Sequence, residues 1–467
     1  MTADQHPEST RINRFVLDMP GVEIRRLGIG WLLLALGSLV VGGLLTIVIV
    51  LSRTPYVQDI FPWVDLFHTA LVVHVDLTVL VWFLAMAGVL WSINSNTRCY
   101  RCGWAALLLC VTGAGIMTLS PFLGSVDPMM TNYIPILRDP LFLAGLAIFG
   151  GGFLLLVVRG LLSSRPIGMR ITGQGALRFG LLSALISSVV AIGALAASHL
   201  SMPESVHGQY YYELLFWGSG HTLQFVHVQL MLVTWLWLAT ASGIASRLTP
   251  RIVLVLFAIG LIPVLLTPLA YINVDIASPG HQQTLTSLMQ FGGGLAAMPI
   301  GLVIIFNLVN SFRGTVNVSP ERSALLSSML LFAAGGMIGF MIEGSNVTVP
   351  AHYHGSIVAV TLAYMGITYH LLPLLGFRQP AGRLVVLQPW IYASGQLMHV
   401  VGLAWSGGYG VQRKTAGDAQ FLDGMEKIAG MGLMGLGGLV AVVGGVLFLV
   451  ITFRAMWPWR HGQRQNA

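Results

Sequence analysis

The stretch Pro350-Ala351-His352-Tyr353-His354-Gly355 opens a long apolar run that ends near residue 375. Successive residues of an α-helix are rotated by about 100°, so His352 and His354 point about 200° apart. They therefore cannot bind one ion from the same helix face, but they can serve two separate prosthetic groups, one on each side of the helix. An ionisable residue inside a membrane span is a functional candidate by default.

The rest of the chain has the composition of a polytopic membrane protein. Its 467 residues are 55% hydrophobic and 9% charged, whereas soluble domains carry about 25% charged residues. Apolar stretches of about 20 residues are long enough to cross a bilayer as helices. Twelve such stretches predict an all-α membrane protein with twelve transmembrane helices. They fall at 28–52, 65–93, 103–123, 140–159, 177–198, 211–244, 250–273, 286–311, 324–344, 352–376, 386–408 and 429–455.

The positions of arginine predict how these helices are oriented. Cytoplasmic loops carry an excess of Lys and Arg, and here the excess falls on the N-terminal segment, the loops after helices 2, 4, 6, 8 and 10, and the C-terminal tail. We therefore expect a cytoplasmic segment 1–27, a membrane domain 28–456 and a cytoplasmic tail 457–467. The net charge of +7 is explained by topology, and no nucleic-acid partner is expected. The arginines concerned are Arg11, Arg14, Arg25, Arg26, Arg98, Arg101, Arg165, Arg170, Arg247, Arg313, Arg322, Arg378, Arg383, Arg454, Arg460 and Arg464.

Four histidines reach a similar depth near the outer face in this topology. His74 lies about nine residues into helix 2, roughly 13 Å at the helical rise, and His221 lies about ten residues into helix 6. His352 and His354 lie at the outer end of helix 10. Neutral imidazole is a common ligand for iron and copper, and axial histidines hold heme iron. The convergence predicts a metal or heme site. The remaining histidines near the spans, expected to be hydrogen-bonded structural residues, are His68, His227, His370 and His399.

The motifs around these histidines resemble subunit I, the catalytic subunit, of the heme-copper oxidase superfamily. The resemblance is closest to its divergent branches, which include B-type oxidases and nitric oxide reductases. Residues 346–354 (NVTVPAHYH), with Leu-Leu-Pro at 371–373, resemble the helix 10 signature. Residues 215–221 (LFWGSGH) resemble the helix 6 motif, and residues 72–77 (VVHVDL) resemble the helix 2 segment.

The resemblance implies a role for each matching residue. His74 and His354 would bind a low-spin heme, His352 a high-spin heme, and His221 the active-site copper, which makes His352 and His221 the catalytic ligands. Residues 407–414 (GGYGVQRK) resemble the segment that holds heme propionates, and two adjacent cations make charge-assisted hydrogen bonds to carboxylates. Arg413 and Lys414 are therefore the expected propionate partners.

The resemblance also implies a function. It predicts an oxidoreductase of the bacterial inner membrane, similar to cytochrome c oxidase or nitric oxide reductase. Electrons would pass from a periplasmic donor via the low-spin heme to the high-spin heme, where dioxygen or nitric oxide is reduced. Two b-type hemes are the expected cofactors, with a non-heme copper or iron left open. Membrane lipid surrounds the chain. Because it has no Cys-x-x-Cys-His motif, a cytochrome c or a separate subunit carrying a c-heme or copper would bring the electrons.

Two departures from the pattern keep another hypothesis open. Oxidases usually have a tyrosine four residues after the helix 6 histidine, and here that position is Phe225. The stretch 269–275 (LAYINVD) lacks the adjacent histidines that many members have at the end of helix 7. The residues left to join His221 as metal ligands are Asp275, Asn273 and His281. The alternative function is a non-catalytic heme-binding subunit that relays electrons or senses a gas without a second metal.

Proton supply is the last expectation from the sequence. The acidic residues near the membrane core, Asp76, Glu213, Asp275 and Glu343, all lie toward the outer face in the predicted topology. Proton pathways in membranes are normally built from polar or ionisable side chains. We therefore expect no efficient proton uptake from the cytoplasm.

Overall fold

The computed structural model describes residues 13–124, 127–244, 248–311 and 318–457. Within these ranges twelve long helical segments follow one another, and the predicted all-α polytopic fold is confirmed. The one sheet in the described part pairs β1 (Pro128–Met129) with β2 (Ile136–Leu137), antiparallel, between the third and fourth helices. The helices are α1 (Val22–Leu51), α2 (Val64–Ile93), α3 (Tyr100–Leu119), α4 (Pro140–Ser163), α5 (Gly173–Leu200), α6 (Gly208–Ala241), α7 (Pro250–Leu266, continued by Leu269–Asn273), α8 (Pro279–Gly292 and Gly294–Ser311), α9 (Pro320–Gly339), α10 (Thr348–Leu374), α11 (Arg383–Gly408) and α12 (Met425–Met456).

Helix α11 differs from the others in polarity. Eleven of the described segments are long and apolar enough to cross a membrane, and α11 is the one that is not. Its buried Gln388 is satisfied by neighbouring helices: it accepts a hydrogen bond from the Tyr369 hydroxyl of α10 and donates one to the Gly444 carbonyl of α12. With 26 residues, α11 is still long enough to span the bilayer. The predicted count of twelve helices therefore agrees with the described structure. Eleven of the twelve are also apolar enough to cross a membrane.

Polar residues cap five of the helices, and three of these, α5, α8 and α9, begin earlier than their apolar runs suggest. Asp139, Thr172, Thr249, Ser278 and Ser319 each accept a hydrogen bond from a backbone N–H of the first turn. Such caps satisfy donors that have no partner within the helix. The largest difference between predicted and observed start is at α8, which begins at Pro279, seven residues before the predicted position 286. His281, which the sequence places in a loop, is therefore in the first turn of α8.

The centre of the bundle is formed by α2, α6 and α10. In their most apolar windows, 67%, 83% and 78% of the residues are buried inside the protein, against 28% for α1 and 33% for α12. A helix surrounded by protein can bury polar side chains against other protein groups. Side chains that bind a metal or a heme are therefore expected on these three helices. They carry all four candidate histidines.

One turn of α2 is a π-helix, from Asp76 to Val81, and it begins two residues after His74. Turns of this kind occur frequently at functional sites because the extra residue changes which side chains share a face. Asp76 opens the turn with both carboxylate oxygens buried and without a hydrogen-bond partner in the described part of the chain.

The predicted terminal segments are only partly described. Segment 1–27 is described from residue 13, and α1 begins at Val22. The tail 457–467 is outside the described residues except for Trp457. Arg247 and Arg313, two of the arginines used for the orientation, also lie outside them.

Candidate functional site

His74 has one ring nitrogen fixed by backbone and the other free. Its Nδ1 lies 2.9 Å from the Gly42 carbonyl of α1 and 3.1 Å from the Thr46 hydroxyl. A carbonyl only accepts, so we assign the ring proton to Nδ1. The Thr78 hydroxyl is 3.5 Å from Nε2, but its proton is donated to the carbonyl of His74 itself at 2.7 Å, which leaves Nε2 as an unused acceptor. Histidines that bind metal commonly have this arrangement.

The ring of His352 is held in the same way as that of His74, on the side of α10 opposite to His354. Its Nδ1 donates to the Gly335 carbonyl of α9 at 2.8 Å. The ring fits because Gly339 has no side chain; a Cβ there would be 2.7 Å from Nδ1. The contact between α9 and α10 therefore fixes the ring and leaves Nε2 as the acceptor.

His354 faces a different set of neighbours, as its spacing from His352 predicts. Its ring lies 4.8 Å, centroid to centroid, from that of His399 on α11, and His74 and Arg53 are within electrostatic range. His399 in turn donates from Nδ1 to the Met434 carbonyl of α12 at 3.0 Å, which leaves its own Nε2 as an acceptor. His399, expected to be a structural residue, thus lies in contact with a predicted ligand.

Arg53 is a buried cation beside this group. It is 8% exposed and donates to two neutral oxygens, Gln420 Oε1 at 3.3 Å and the Gln412 carbonyl at 3.4 Å. Burial lowers the pKa of Arg53 to about 10, an effect that the neighbouring Tyr353 partly opposes. No carboxylate in the described part of the chain lies within ion-pair distance of it. A buried guanidinium without a counter-charge suits an anionic group such as a heme propionate.

Arg413 and Lys414 border an outer pocket of about 400 Å³. Arg413 donates to the Ser345 hydroxyl at 3.1 Å, whereas Lys414 donates to the Met130 carbonyl and to Asn132 Oδ1. Burial, and then Arg413, lower the pKa of Lys414 to about 8, and Glu213 opposes the shift. Lys414 is therefore bound to the loop between α3 and α4 in this structure. The residues lining the pocket are Met130, Asn132, Gln209, Tyr210, Glu213, Arg413 and Lys414.

His221, the predicted ligand of the active-site copper, is engaged at both ring nitrogens. Nδ1 lies 2.9 Å from the Trp217 carbonyl one turn earlier in α6, and Nε2 lies 2.9 Å from the Tyr133 hydroxyl. The Thr286 hydroxyl is 3.4 Å from Nε2, but its proton is donated to the Gln282 carbonyl at 2.8 Å. Tyr133 is therefore the donor to His221, and no free lone pair is left on the imidazole.

The other candidates for a second metal do not form a ligand group with His221 among the described residues. Asp275 Oδ1 accepts from the Ala277 backbone 2.9 Å away, within its own loop. His281 is fully buried, with Nδ1 3.2 Å from the Ala270 carbonyl and Nε2 without a hydrogen-bond partner. The side chain of Asn273 is outside the described part of the chain. Among the described residues, no three His, Cys, Asp or Glu side chains form a group that could hold a metal ion.

The site thus fits hemes but not a second metal. His74 and His352 present free Nε2 atoms with anchored Nδ1 atoms, as metal-binding histidines commonly do, and Arg53 supplies a positive charge that suits a propionate. Three contributors are not predicted from the sequence: His399, Arg53 and Tyr133. The isolation of Arg53 in a loop otherwise poor in basic residues was a signal for it, but no motif or spacing marks the other two.

The chain is similar to known proteins over most of its length. Residues 26–447 match the family model described as cytochrome C and quinol oxidase polypeptide I. An uncharacterized protein of Rickettsia prowazekii (strain Madrid E) is 28% identical over 494 residues, covering 91% of this chain and 95% of that protein. An uncharacterized protein of Aquifex aeolicus (strain VF5) is 28% identical over 355 residues, covering 76% of this chain and 86% of that protein.

Proposed function

The chain belongs to the cytochrome c and quinol oxidase polypeptide I family, and from this membership we propose that it is the heme-bearing subunit of a membrane oxidoreductase that reduces dioxygen or nitric oxide. Its electrons come from a periplasmic donor, either a cytochrome c or a subunit with a c-heme or copper. Two b-type hemes, when bound, supply one-electron transfer and an open iron position for a small gas.

The observation that carries this proposal is the two-sided use of α10. His352 is anchored to the Gly335 carbonyl of α9, whereas His354 faces His399 and His74. His74 and His354 would hold the low-spin heme, and His352 the high-spin heme. His74 and His352 keep their rings oriented through the carbonyls of Gly42 and Gly335, and Arg53, Arg413 and Lys414 would neutralise propionates at the outer face.

An optical spectrum with quantitative heme analysis of the purified protein tests the proposal. We expect two b-type hemes per chain, and we expect His354→Ala to lose the low-spin band while the high-spin band remains. A matched control is His227→Ala, which removes a half-buried histidine of α6 that contacts Phe83. Equal loss of both bands in His354→Ala would contradict the two-sided arrangement, and a wild-type protein without heme would overturn the proposal. Turnover with nitric oxide and with dioxygen identifies the substrate.

A second function is favoured by the environment of His221. Because Nε2 of His221 accepts a hydrogen bond from Tyr133, the chain is also suited to relay electrons or to bind a gas without reducing it. Two hemes without turnover of either gas, in the presence of a chemical reductant, would support this alternative.

A further inference from the structure

Tyr133 reaches His221 from a loop that is fastened at several points. The loop connects α3 to α4 and contains the strands β1 and β2. The carboxylate of Glu213 on α6 accepts from the Asn132 backbone N–H at 3.0 Å and from its side chain. Lys414 donates to the Met130 carbonyl and to Asn132 Oδ1 from the other side. Tyr133 is therefore positioned by ionised side chains of two other elements.

The surface of α6 is shaped to receive the tyrosine ring. Gly220 lies directly under the ring, and a Cβ at this position would overlap Tyr133 atoms. The ring centroid is 4.8 Å from that of His221 and 5.7 Å from that of Trp217. Aromatic groups at such distances pack favourably. The lack of a side chain at Gly220 therefore leaves the space that the Tyr133 ring occupies.

Hydrogen-bond directions settle what His221 can do. The Trp217 carbonyl only accepts, so Nδ1 carries the proton and Nε2 is the acceptor. A metal needs this same Nε2 lone pair, because a histidine binds through its unprotonated nitrogen. In this structure that lone pair accepts a hydrogen bond from the Tyr133 hydroxyl.

We propose that the Tyr133–His221 hydrogen bond replaces the second metal ion, so that the chain binds neither copper nor non-heme iron at His221. Tyr133 acts as a positioning residue that holds the imidazole neutral and fixed in place. The proposal rests on the proposed function, because it concerns the place that copper takes in the family. It is consistent with Phe225, whose position lacks the usual tyrosine and which here packs against Leu261 and Val264.

His281 is the residue that offers the strongest objection. Its Nε2 is buried without a partner, and it lies within electrostatic range of His221. Its ring, however, packs edge-on against Tyr271 at 4.8 Å. Two imidazoles, one of them already hydrogen-bonded through its acceptor nitrogen, fall short of the three protein ligands that a catalytic metal site requires.

Metal and heme analysis of the full-length protein, purified from cells grown with added copper and iron, tests the proposal. We expect the iron content to equal the heme content and copper to be well below one atom per chain, in the wild type and in His221→Ala alike. One copper or one non-heme iron per chain that disappears in His221→Ala would overturn the proposal. Hemes present together with such a metal would refute only this inference, whereas absence of heme would refute the proposed function.

The positioning role has a separate readout. In protein labelled with ¹⁵N-histidine, the Nε2 resonance of His221, assigned with His221→Ala, reports whether this nitrogen accepts a hydrogen bond. We expect Tyr133→Phe to shift it and Tyr271→Phe to leave it unchanged, because the Tyr271 hydroxyl bonds to Ser198. A resonance that does not respond to Tyr133→Phe would contradict the hydrogen bond on which the proposal depends.

Discussion

At the scale of single residues, four histidine rings of the candidate site are oriented by a backbone carbonyl. Gly42, Gly335, Trp217 and Met434 supply the carbonyls for His74, His352, His221 and His399, respectively. His354 differs because it makes no such bond within the described residues. The ring that it touches belongs to His399, whose Nε2 is an unused acceptor. His399 therefore fixes the position of His354 by ring contact, with no hydrogen bond between the two among the described residues.

Replacing His399 should change the proposed low-spin heme without removing it. A less polar environment beside a ligand histidine favours ferrous iron, which carries less charge than ferric iron. We expect His399→Phe to raise the midpoint potential of the low-spin heme by roughly tens of millivolts, and His399→Gln to change it less. Redox titration followed optically measures this. An unchanged potential in His399→Phe, or an equal change in His227→Phe, would show that His399 does not act on the heme.

Lys414 should produce a pH dependence of stability. Its pKa is lowered from an ordinary 10.5 to about 8 in the folded protein, so between these pH values the unfolded chain binds more protons than the folded one. Stability should therefore rise with pH across this window, and Lys414 contributes nothing further above 10.5. Thermal unfolding of wild type and Lys414→Met from pH 7 to 11 isolates the contribution. A rise of the same size in Lys414→Met would exclude Lys414 as its source.

The sequence predicts the histidines of the candidate site but not their supporting partners. His74, His221, His352 and His354 are predicted because the positive-inside pattern implies a common depth and because i, i+2 spacing places two of them on opposite helix faces. Tyr133 was missed because it lies 88 positions from His221, in a loop with no periodicity, and its role depends on tertiary packing. The expectation that the acidic residues near the membrane core all lie toward the outer face also needs correction. Glu321, in the first turn of α9, is 9% exposed and lies 3.5 Å from His370 of α10.

At the scale of helices, α11 and α12 pack backbone to backbone through glycines. A Cβ at Gly395 or Gly402 would overlap backbone atoms of α12, at Ala441 and Met434, respectively. Small residues at helix contacts allow such approach in membranes, where packing rather than the hydrophobic effect holds helices together. The Met434 carbonyl also anchors His399. The glycine contact between these helices thus determines the position of the ring beside His354.

Gly402→Ala should therefore affect both stability and the heme site. The overlap is with backbone, which cannot rotate away, so we expect a loss of about 1–3 kcal/mol together with a broadened low-spin heme signal. Gly432→Ala is the matched control on α12, because nothing lies within 4 Å of a Cβ there. Thermal unfolding and electron paramagnetic resonance measure the two effects. Equal unfolding temperatures and equal heme signals in the two variants would mean that neither stability nor the heme site depends on the close approach of α11 and α12.

At the scale of the whole molecule, the functional groups gather at one end of the bundle. A backbone bridge between Asn346 and Gln412 joins the loops before α10 and after α11 at that end, and a second bridge, between Ser95 and Ser164, joins the loops after α2 and α4 at the other. The outer pocket, Arg53 and the N-terminal end of α10 belong to the first end. Electrons from a soluble or membrane-anchored donor would have to arrive there, so the orientation of the chain decides which compartment supplies them.

Cysteine labelling in spheroplasts determines that orientation. Cys99 is exposed at the end of the bundle with Ser95 and Ser164, whereas Cys110 is buried. The positive-inside pattern places Cys99 in the cytoplasm, so a membrane-impermeant maleimide should label it only after the membrane is permeabilised. Glu343→Cys, at an exposed position of the opposite end, should be labelled in intact spheroplasts. The reverse pattern would place the site on the cytoplasmic side and exclude a periplasmic donor.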